Sequence, residues 1–313
     1  MASRRVAVLT GLVVAGALSI AVALAQQDAA TLRIQKIKDN LYVITGGRGS
    51  GASASTVSGN TTAFVTAAGV VLVDTKLPGF GQGILDQVRS VTTKPVTMII
   101  NTHTHNDHTG GNPELPRNVE HVAQENTKAN MAKMSLFAGA NATLLPSRTF
   151  KDRLTLLDGA DRIELFYFGR GHTNGDAVIV FPGSRVAVVG DLFARKWAPL
   201  VDAQNGGSVV EYPNTLAKAV TGLKDVDTVI TGHSTTPIGR EGTFSRFDPA
   251  VKWSELQEYA DFTREFVAAA RAAKAAGKTV EEAVNGLNLP ARYRAYDMTN
   301  ARADVQRLYD ELK

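Results

Sequence analysis

The sequence predicts an α/β fold, because β-branched runs of strand length alternate along the chain with amphipathic helical patterns. Val96–Ile100 is an apolar, β-branched run, and Gln82–Ser90 before it places Ile84, Leu85 and Val88 on one helical face. Further strands are predicted at Leu41–Thr45, Thr62–Thr66, Val70–Asp74, Val119–Ala123, Arg162–Phe168, Asp176–Phe181, Arg185–Val189 and Thr228–Ile230. Further helices are predicted at Glu125–Phe137 and Pro213–Leu223. Strands and helices that alternate in this way are typical of layered α/β domains.

A polar stretch, Asn101–Asn112, directly follows the apolar run and holds three of the six histidines. His103, His105, Asp107 and His108 fall within six positions of one another. In an extended loop, side chains two apart point the same way, so His103 and His105 can share one metal ion. Asp107 and His108 can then turn toward a second ion. Imidazole and carboxylate groups suit Zn²⁺ and its neighbours in the first-row series.

Three more candidate ligands lie just past the carboxyl ends of predicted strands. His172 and His233 occupy turns that contain glycine, and Asp191 follows Gly190. Sites in layered α/β folds gather at this edge of the sheet. Each residue also has a plain alternative, as a cap, a turn aspartate or a surface histidine. All three alternatives would have to hold at once for the site to be absent.

The N-terminus has the pattern of a secretory signal peptide over residues 1–25. Arg4 and Arg5 precede the apolar run Val6–Ala23, which leads into an A-x-A cleavage pattern. We expect a periplasmic or secreted protein with no stable membrane association after cleavage. A retained anchor is the alternative, since the run approaches the ~20 residues that span a bilayer.

Composition excludes several classes of function. Without the two signal-peptide arginines, 32 basic residues face 30 acidic ones, so no excess of positive charge points to nucleic acid. The chain has no cysteine, which excludes disulfides, thiolate ligands and thiol nucleophiles. We therefore expect a small-molecule substrate; the sequence indicates neither an oligomeric state nor the substrate-binding residues.

The chain is predicted to divide into a main domain over residues 26–245 and a C-terminal helical cap over residues 246–313. From Trp253 onward, apolar residues recur at three- and four-residue spacing as far as Ala270, which marks an amphipathic helix. Val280–Asn285 and Asn300–Leu312 predict two shorter helices.

The ordered motifs resemble those of the metallo-β-lactamase superfamily over roughly residues 40 to 240. They are the strand-ending Asp74, the H-x-H-x-D-H run from His103 to His108, and then His172, Asp191 and His233. The resemblance implies an αββα sandwich with two metal ions at one edge of the two sheets. It implies that the first ion is bound by His103, His105 and His172, the second by Asp107, His108 and His233, and both by a bridging Asp191. Asp74 would orient the histidine stretch without binding metal.

The resemblance further implies two Zn²⁺ ions, with Fe or Mn as alternatives, and hydrolysis by a hydroxide that bridges them. Asp107 would orient that hydroxide and take part in proton transfer as a catalytic residue. Metallo-β-lactamases proper usually carry Cys or Ser where this chain has Asp191, whereas glyoxalase II and lactonases carry Asp. We therefore expect an exported hydrolase of a carboxylic ester, thioester, lactone or amide. A β-lactamase and a non-hydrolytic iron metalloprotein of the same superfamily are the alternatives.

Two further segments adjoin the predicted site. Gly46–Asn60 is almost entirely Gly, Ser, Ala and Thr, and we expect a mobile loop that buries no apolar surface. Arg195 and Lys196 follow Asp191 closely and could either hold a substrate carboxylate or remain solvated.

Overall fold

The structure, a computed structural model, describes residues 32–48, 57–238 and 243–313. The predicted signal peptide, residues 1–25, lies outside these ranges. Within them, no helix is both long and apolar enough to cross a membrane.

Two sheets form the centre of the molecule. The first has seven strands in chain order: β1 (Arg33–Lys38), β2 (Leu41–Thr45), β3 (Thr61–Val65), β4 (Val70–Val73), β5 (Val96–Ile100), β6 (Glu120–Gln124) and β7 (Arg148–Phe150). Strands β1 to β4 pair antiparallel, and β4 to β7 pair parallel. The parallel half matters for the site, because β4 and β5 end side by side and deliver Asp74 and the histidine stretch to one edge.

The second sheet has six strands: β8 (Arg153–Leu156), β9 (Ile163–Tyr167), β10 (Ala177–Phe181), β11 (Val186–Val188), β12 (Thr228–Ile230) and β15 (Ala250–Lys252). Strands β11 and β12 are its parallel pair, so Asp191 and His233 also follow strands that end at a common edge. A separate hairpin, β13 (Thr235–Ile238) and β14 (Thr243–Arg246), lies between β12 and β15 in the sequence.

The described residues form seven α-helices. They are α1 (Gly81–Arg89), α2 (Asn106–Thr109), α3 (Glu125–Met131), α4 (Tyr212–Gly222), α5 (Trp253–Ala275), α6 (Val280–Asn285) and α7 (Ala301–Glu311). Helix α1 packs on the first sheet, and α4 and α5 pack on the second. With the two sheets facing each other, this is the expected αββα sandwich, which is confirmed.

Side chains alternate in direction along each strand, and this divides the buried apolar residues into separate clusters on the two faces of each sheet. Val43 faces the second sheet, and its neighbour Ile44 faces α1. Ile179 faces the first sheet, and its neighbour Val180 faces α4 and α5. Successive strand residues point to opposite faces, so a strand buried on both faces is apolar throughout. This is why the central strands were predictable as continuous apolar runs.

Two sequence-based expectations differ from the structure here. The helix predicted over Glu125–Phe137 ends at Met131, and a short 3₁₀ turn follows at Ser135–Phe137. Met131 and Phe137 are buried in one small cluster with Leu144, which requires the chain to turn between them. Strands β1, β7, β8, β13, β14 and β15 were not predicted. Five of them have only three or four residues, and β1, β7, β8 and β15 carry charged residues at exposed positions.

The helical cap begins at Trp253, directly after β15 joins the second sheet. Tyr259 and Phe262 of α5 lie in the same hydrophobic cluster as Val229 of β12. The C-terminal helices are therefore packed on the sandwich, as expected. The division between residues 245 and 246 stays a prediction.

Asp304 on α7 is a buried carboxylic acid outside the candidate site. Its side chain is fully buried, and neither oxygen has a hydrogen-bond partner among the described residues. Arg307 Nη1 lies 3.8 Å from its Oδ1. Burial raises the pKa of Asp304 well above its usual value.

We expect Asp304→Asn to raise the free energy of unfolding near pH 8, because a buried site tolerates a neutral amide better than a carboxyl that ionises on unfolding. A carboxyl whose pKa is higher in the folded chain contributes stability that is fully present below its unfolded pKa. That stability is lost as the pH rises through the folded pKa, so the advantage of Asn should vanish near about pH 4. Urea unfolding across this range measures the difference. Asp310→Asn, at an exposed site on the same helix, is the control, and a difference independent of pH would contradict the prediction.

Candidate metal centre

The backbone of the histidine stretch explains how its donors separate into two groups. His105 is extended, and α2 begins immediately after it at Asn106. His103 and His105, which precede this one-turn helix, therefore face one way. Asp107 and His108, which belong to it, face another. The sequence predicted this division from residue spacing, and the short helix is its structural cause.

The first group contains His103, His105, His172 and Asp191, whose donor atoms all lie within 4.8 Å of one another. His172 Nε2 is 2.9 Å from His105 Nδ1 and 3.6 Å from Asp191 Oδ2. In the described part of the chain, the buried His103 Nε2 has no hydrogen-bond partner. Three imidazole nitrogens thus converge with a carboxylate.

The second group contains Asp107, His108 and His233. Asp107 Oδ2 lies 3.3 Å from His233 Nε2 and 3.7 Å from His108 Nε2. Asp191 reaches this group too, because its Oδ1 is 3.4 Å from His108 Nε2 and its Oδ2 is 3.4 Å from His233 Nε2. One carboxylate therefore contacts histidines of both groups, which is the position expected of a bridging ligand.

Hydrogen bonds behind the rings fix the tautomers of His172 and His108. The carbonyl oxygen of Leu200 can only accept, so His172 Nδ1 donates to it at 2.6 Å and carries the proton. His108 Nδ1 donates to Asp74 Oδ2 at 2.8 Å. In the neutral rings, both Nε2 lone pairs then face the centre, which is the arrangement that metal-binding histidines use.

The other two histidines of the stretch are held in the same manner. The Thr102 hydroxyl donates to Asp74 Oδ2 at 2.7 Å, so it accepts from His103 Nδ1 at 3.0 Å. His105 Nε2 pairs with Asp202 Oδ2 at 2.7 Å, leaving Nδ1 for the centre. Asp74 thus contacts His108 directly and His103 through Thr102, which is the position that the resemblance implies for a residue that orients the histidines.

The centre concentrates negative charge in a buried space. Burial alone would lower the pKa of His108, but the carboxylates of Asp107 and two other aspartates outweigh it and raise that pKa well above its usual value. Burial would raise the pKa of Asp107, yet His108 and His233 hold it at about 2. His103 and His172 are held neutral by burial, which lowers the pKa of His172 to about 4. Such a cluster requires cations, which protons or metal ions can supply.

A close approach of the backbone makes room for Asp191. A Cβ atom added to Gly232 would lie only 1.9 Å from Asp191 Oδ1. Glycine at this position lets the turn before His233 pack against the carboxylate. The donor set therefore fits two metal ions: it has imidazole nitrogens with defined lone pairs, a shared carboxylate, and, at His103 Nε2, a buried nitrogen with no hydrogen-bond partner among the described residues.

Sequence reasoning missed residues that support the site. Asp202 and the carbonyl of Leu200 hold two of the first-group histidines, and both lie in an irregular segment after Asp191. Asp202 also accepts a hydrogen bond from the backbone N of Gln204 at 2.9 Å. It looks like an ordinary turn aspartate, so no sequence signal distinguishes it.

The two basic residues after Asp191 have different surroundings. Lys196 forms ion pairs with Glu255 and Glu258 of α5 at 3.3 and 3.4 Å, so it joins this segment to the cap. The Arg195 guanidinium lies over the Trp197 ring, 3.1 Å from its centroid. Partial burial lowers the pKa of Arg195 to about 10, although the charge of Asp191 opposes the shift.

The prediction that Gly46–Asn60 buries no apolar surface is wrong at the C-terminal end of this segment. Val57, Ser58 and Asn60 are buried, although the composition predicted a loop that buries nothing apolar. The flank is held by polar contacts of its backbone and side chains, which composition does not reveal. Residues 49–56 lie outside the described ranges.

With the fold and the donor geometry established, comparison with known proteins identifies the family. A family model described as the metallo-beta-lactamase superfamily matches residues 54–233. The chain belongs to this superfamily, whose members are mostly hydrolases and bind a dinuclear metal site.

Individual proteins that match this chain share 21–28% of their aligned residues with it. A curated protein from Elizabethkingia meningoseptica, named metallo-beta-lactamase type 2, is 28% identical over 219 residues, covering 66% of this chain and 80% of that protein. One of the same name from Bacillus sp. (strain 170) is 26% identical over 215 residues, covering 66% of this chain and 78% of that protein. The solved metallo-beta-lactamase from Pontibacter korlensis aligns with a TM-score of 0.59 at 21% identity, over 74% of this chain and 99% of that one. This last likeness shows the fold alone.

Proposed function

We propose that the protein is an exported, zinc-dependent hydrolase of a carboxylic ester, thioester, lactone or amide. The observation that carries the proposal is the position of Asp191, whose carboxylate contacts histidines of both donor groups at 3.4 to 3.6 Å. A carboxylate shared in this way suits a pair of metal ions better than a single ion.

The candidate ligands would bind two metal ions in the two sets that the resemblance implies. His103, His105 and His172 would hold the first ion, and Asp107, His108 and His233 the second, with Asp191 shared. When bound, two zinc ions would lower the pKa of a shared water toward ~7 and polarise the scissile carbonyl.

Asp107 is the residue best placed to handle the proton. Its carboxylate stays ionised, because the neighbouring His108 and His233 hold its pKa at about 2. Its side chain is 20% exposed, whereas that of Asp191 is 2% exposed, so it can meet substrate. It can orient the attacking water and take part in proton transfer as the bond breaks.

A β-lactam substrate is the second candidate, and the names of the curated relatives favour it. Asp191 favours the first candidate, because metallo-β-lactamases proper usually carry Cys or Ser there. A hydrolysis panel of nitrocefin, lactones, thioesters and phosphodiesters separates the two. Turnover of a lactone or thioester without nitrocefin cleavage would support our proposal. Efficient cleavage of nitrocefin alone would replace it with the second candidate.

We expect two metal ions per chain. Elemental analysis after mild dialysis of protein purified without added metal measures both their number and identity. Less than one ion per chain would reject the dinuclear site. Iron in place of zinc, together with no hydrolysis across the panel, would favour the non-hydrolytic alternative.

Export is a separate part of the proposal and is supported by the N-terminal sequence pattern. Fractionation of producing cells should place the protein in the periplasm or medium, with a mature chain that begins near Gln26. Mass spectrometry that finds Met1–Ala25 intact in the membrane fraction would instead indicate a retained anchor.

A further inference from the structure

We propose that Lys76 is a positioning residue for the second donor group, acting through the segment Ser58–Asn60. This inference rests on the proposed dinuclear site and adds a residue that the family motifs do not include. The side chain of Lys76 has no exposed surface. Burying an ammonium group is costly unless its hydrogen bonds are made inside the protein.

The Lys76 ammonium donates hydrogen bonds to both ends of the glycine- and serine-rich segment Gly46–Asn60. Nζ donates to the carbonyl of Gly59 at 2.8 Å and to that of Gly46 at 3.1 Å. Ser58 N also donates to the Gly47 carbonyl at 2.9 Å, which closes the base of the loop. Lys76 therefore fixes where the Ser58–Asn60 segment lies.

That segment connects the two stretches of chain that carry Asp107 and His233. Gly59 N donates to the carbonyl of Asp107 at 3.0 Å, and Asn60 N donates to the carbonyl of Gly232 at 2.7 Å. Asn60 Nδ2 adds a bond to the carbonyl of Thr231 at 2.9 Å. The distance between these two stretches thus depends on the Ser58–Asn60 segment.

The same segment packs against the third donor of the group. A Cβ atom added to Gly59 would lie 2.3 Å from the His108 ring, so the backbone lies directly against the imidazole. All three members of the second group, or the residues beside them, therefore contact Ser58–Asn60.

The backbone around Lys76 holds the other side of His108. Asp74 and Lys76 both adopt left-handed conformations, with φ of 61° and 68°. Between them, Thr75 N donates to the His108 carbonyl at 2.8 Å, and Asp74 accepts from His108 Nδ1. Strained conformations of this kind persist only where the surroundings fix them, and they cluster at functional sites.

Two histidines of the first group are held by a different segment. His172 and His105 are supported by Leu200 and Asp202, which lie after Asp191. Loss of the Lys76 ammonium should therefore weaken binding of one metal ion far more than the other. A general loss of stability would weaken both together.

The test compares metal uptake by the wild type, Lys76→Met and Lys94→Met. Methionine keeps the apolar stem and removes the ammonium. Lys94 is the matched control, because its Nζ also binds two carbonyls, those of Thr66 at 2.6 Å and Ala67 at 3.2 Å. It lies at the other end of the same sheet. Metal-free protein is titrated with Co²⁺, followed by visible absorption and calorimetry.

We expect the wild type and Lys94→Met to bind two ions, and Lys76→Met to keep its first affinity and lose about 10–100-fold in the second. Unchanged uptake, or equal loss at both sites, would overturn the inference. If Lys76→Met does not fold, Asn60→Ala tests the segment through which Lys76 acts, since it removes the side-chain bonds to Thr231 and Ser234, and the same selective loss is expected. A wild type that binds fewer than two ions would instead refute the dinuclear site.

Discussion

Asp191→Ala should abolish hydrolysis and reduce metal content while the fold is retained. The carboxylate contacts histidines of both donor groups, so its loss affects both metal positions. We expect a fall in kcat greater than the ~10–100-fold that follows loss of a supporting residue. His105→Ala should have an effect of the same kind, because it removes one of three imidazoles from the first group.

The fold should survive these changes, because the hydrophobic clusters lie between and outside the sheets and not at the donor edge. Circular dichroism, metal analysis and kinetics at matched zinc concentration give the three necessary measurements. Asp39→Ala, at an exposed position between β1 and β2, is the control for loss of an aspartate. Full activity of Asp191→Ala with two bound ions would show that the ligand assignment is wrong.

Asp74→Asn should lower metal affinity and activity by about 10–100-fold. Asp74 Oδ1 accepts from Thr102 N at 2.8 Å, and Oδ2 accepts from Thr102 Oγ1 and His108 Nδ1 at 2.7 and 2.8 Å. The amide of asparagine offers one acceptor oxygen in place of two, so one of these contacts meets an N–H donor instead. The loss should therefore concern the orientation of His108 and His103, and not the shape of the turn.

Asparagine is chosen because it tolerates the left-handed conformation of Asp74, at φ 61°. Asp225→Asn is the matched control, since Asp225 also adopts positive φ, at 56°, and lies on the surface. Metal titration and kinetics of both variants measure the effect. Equal behaviour of the two would show that Asp74 has no role in orienting the histidines.

The sequence by itself determined the central strands, most of the helices and the candidate donors. The strands at Val96–Ile100 and Ala177–Phe181 were readable because buried strands are rich in apolar residues. Only Thr97 of the first strand is polar and exposed, and the second strand is apolar throughout. The donors were readable because His103, His105, Asp107 and His108 occupy one short polar stretch, where nearby side chains need no tertiary contact to come together. The resemblance then supplied the order of the remaining donors.

Only the tertiary structure decided which residues besides Asp74 hold those donors in place. Asp202 lies 2.7 Å from His105 across a separation of 97 residues, and its own surroundings are those of a common turn. Lysine is usually exposed, and nothing in the sequence around Lys76 marks it as buried. Its ammonium nevertheless binds carbonyls 17 and 30 residues away in the chain. A sequence pattern reveals the local spacing of apolar residues and the chemical type of each side chain. Contacts between distant segments depend on how the two sheets pack, and that is fixed only when the whole chain has folded.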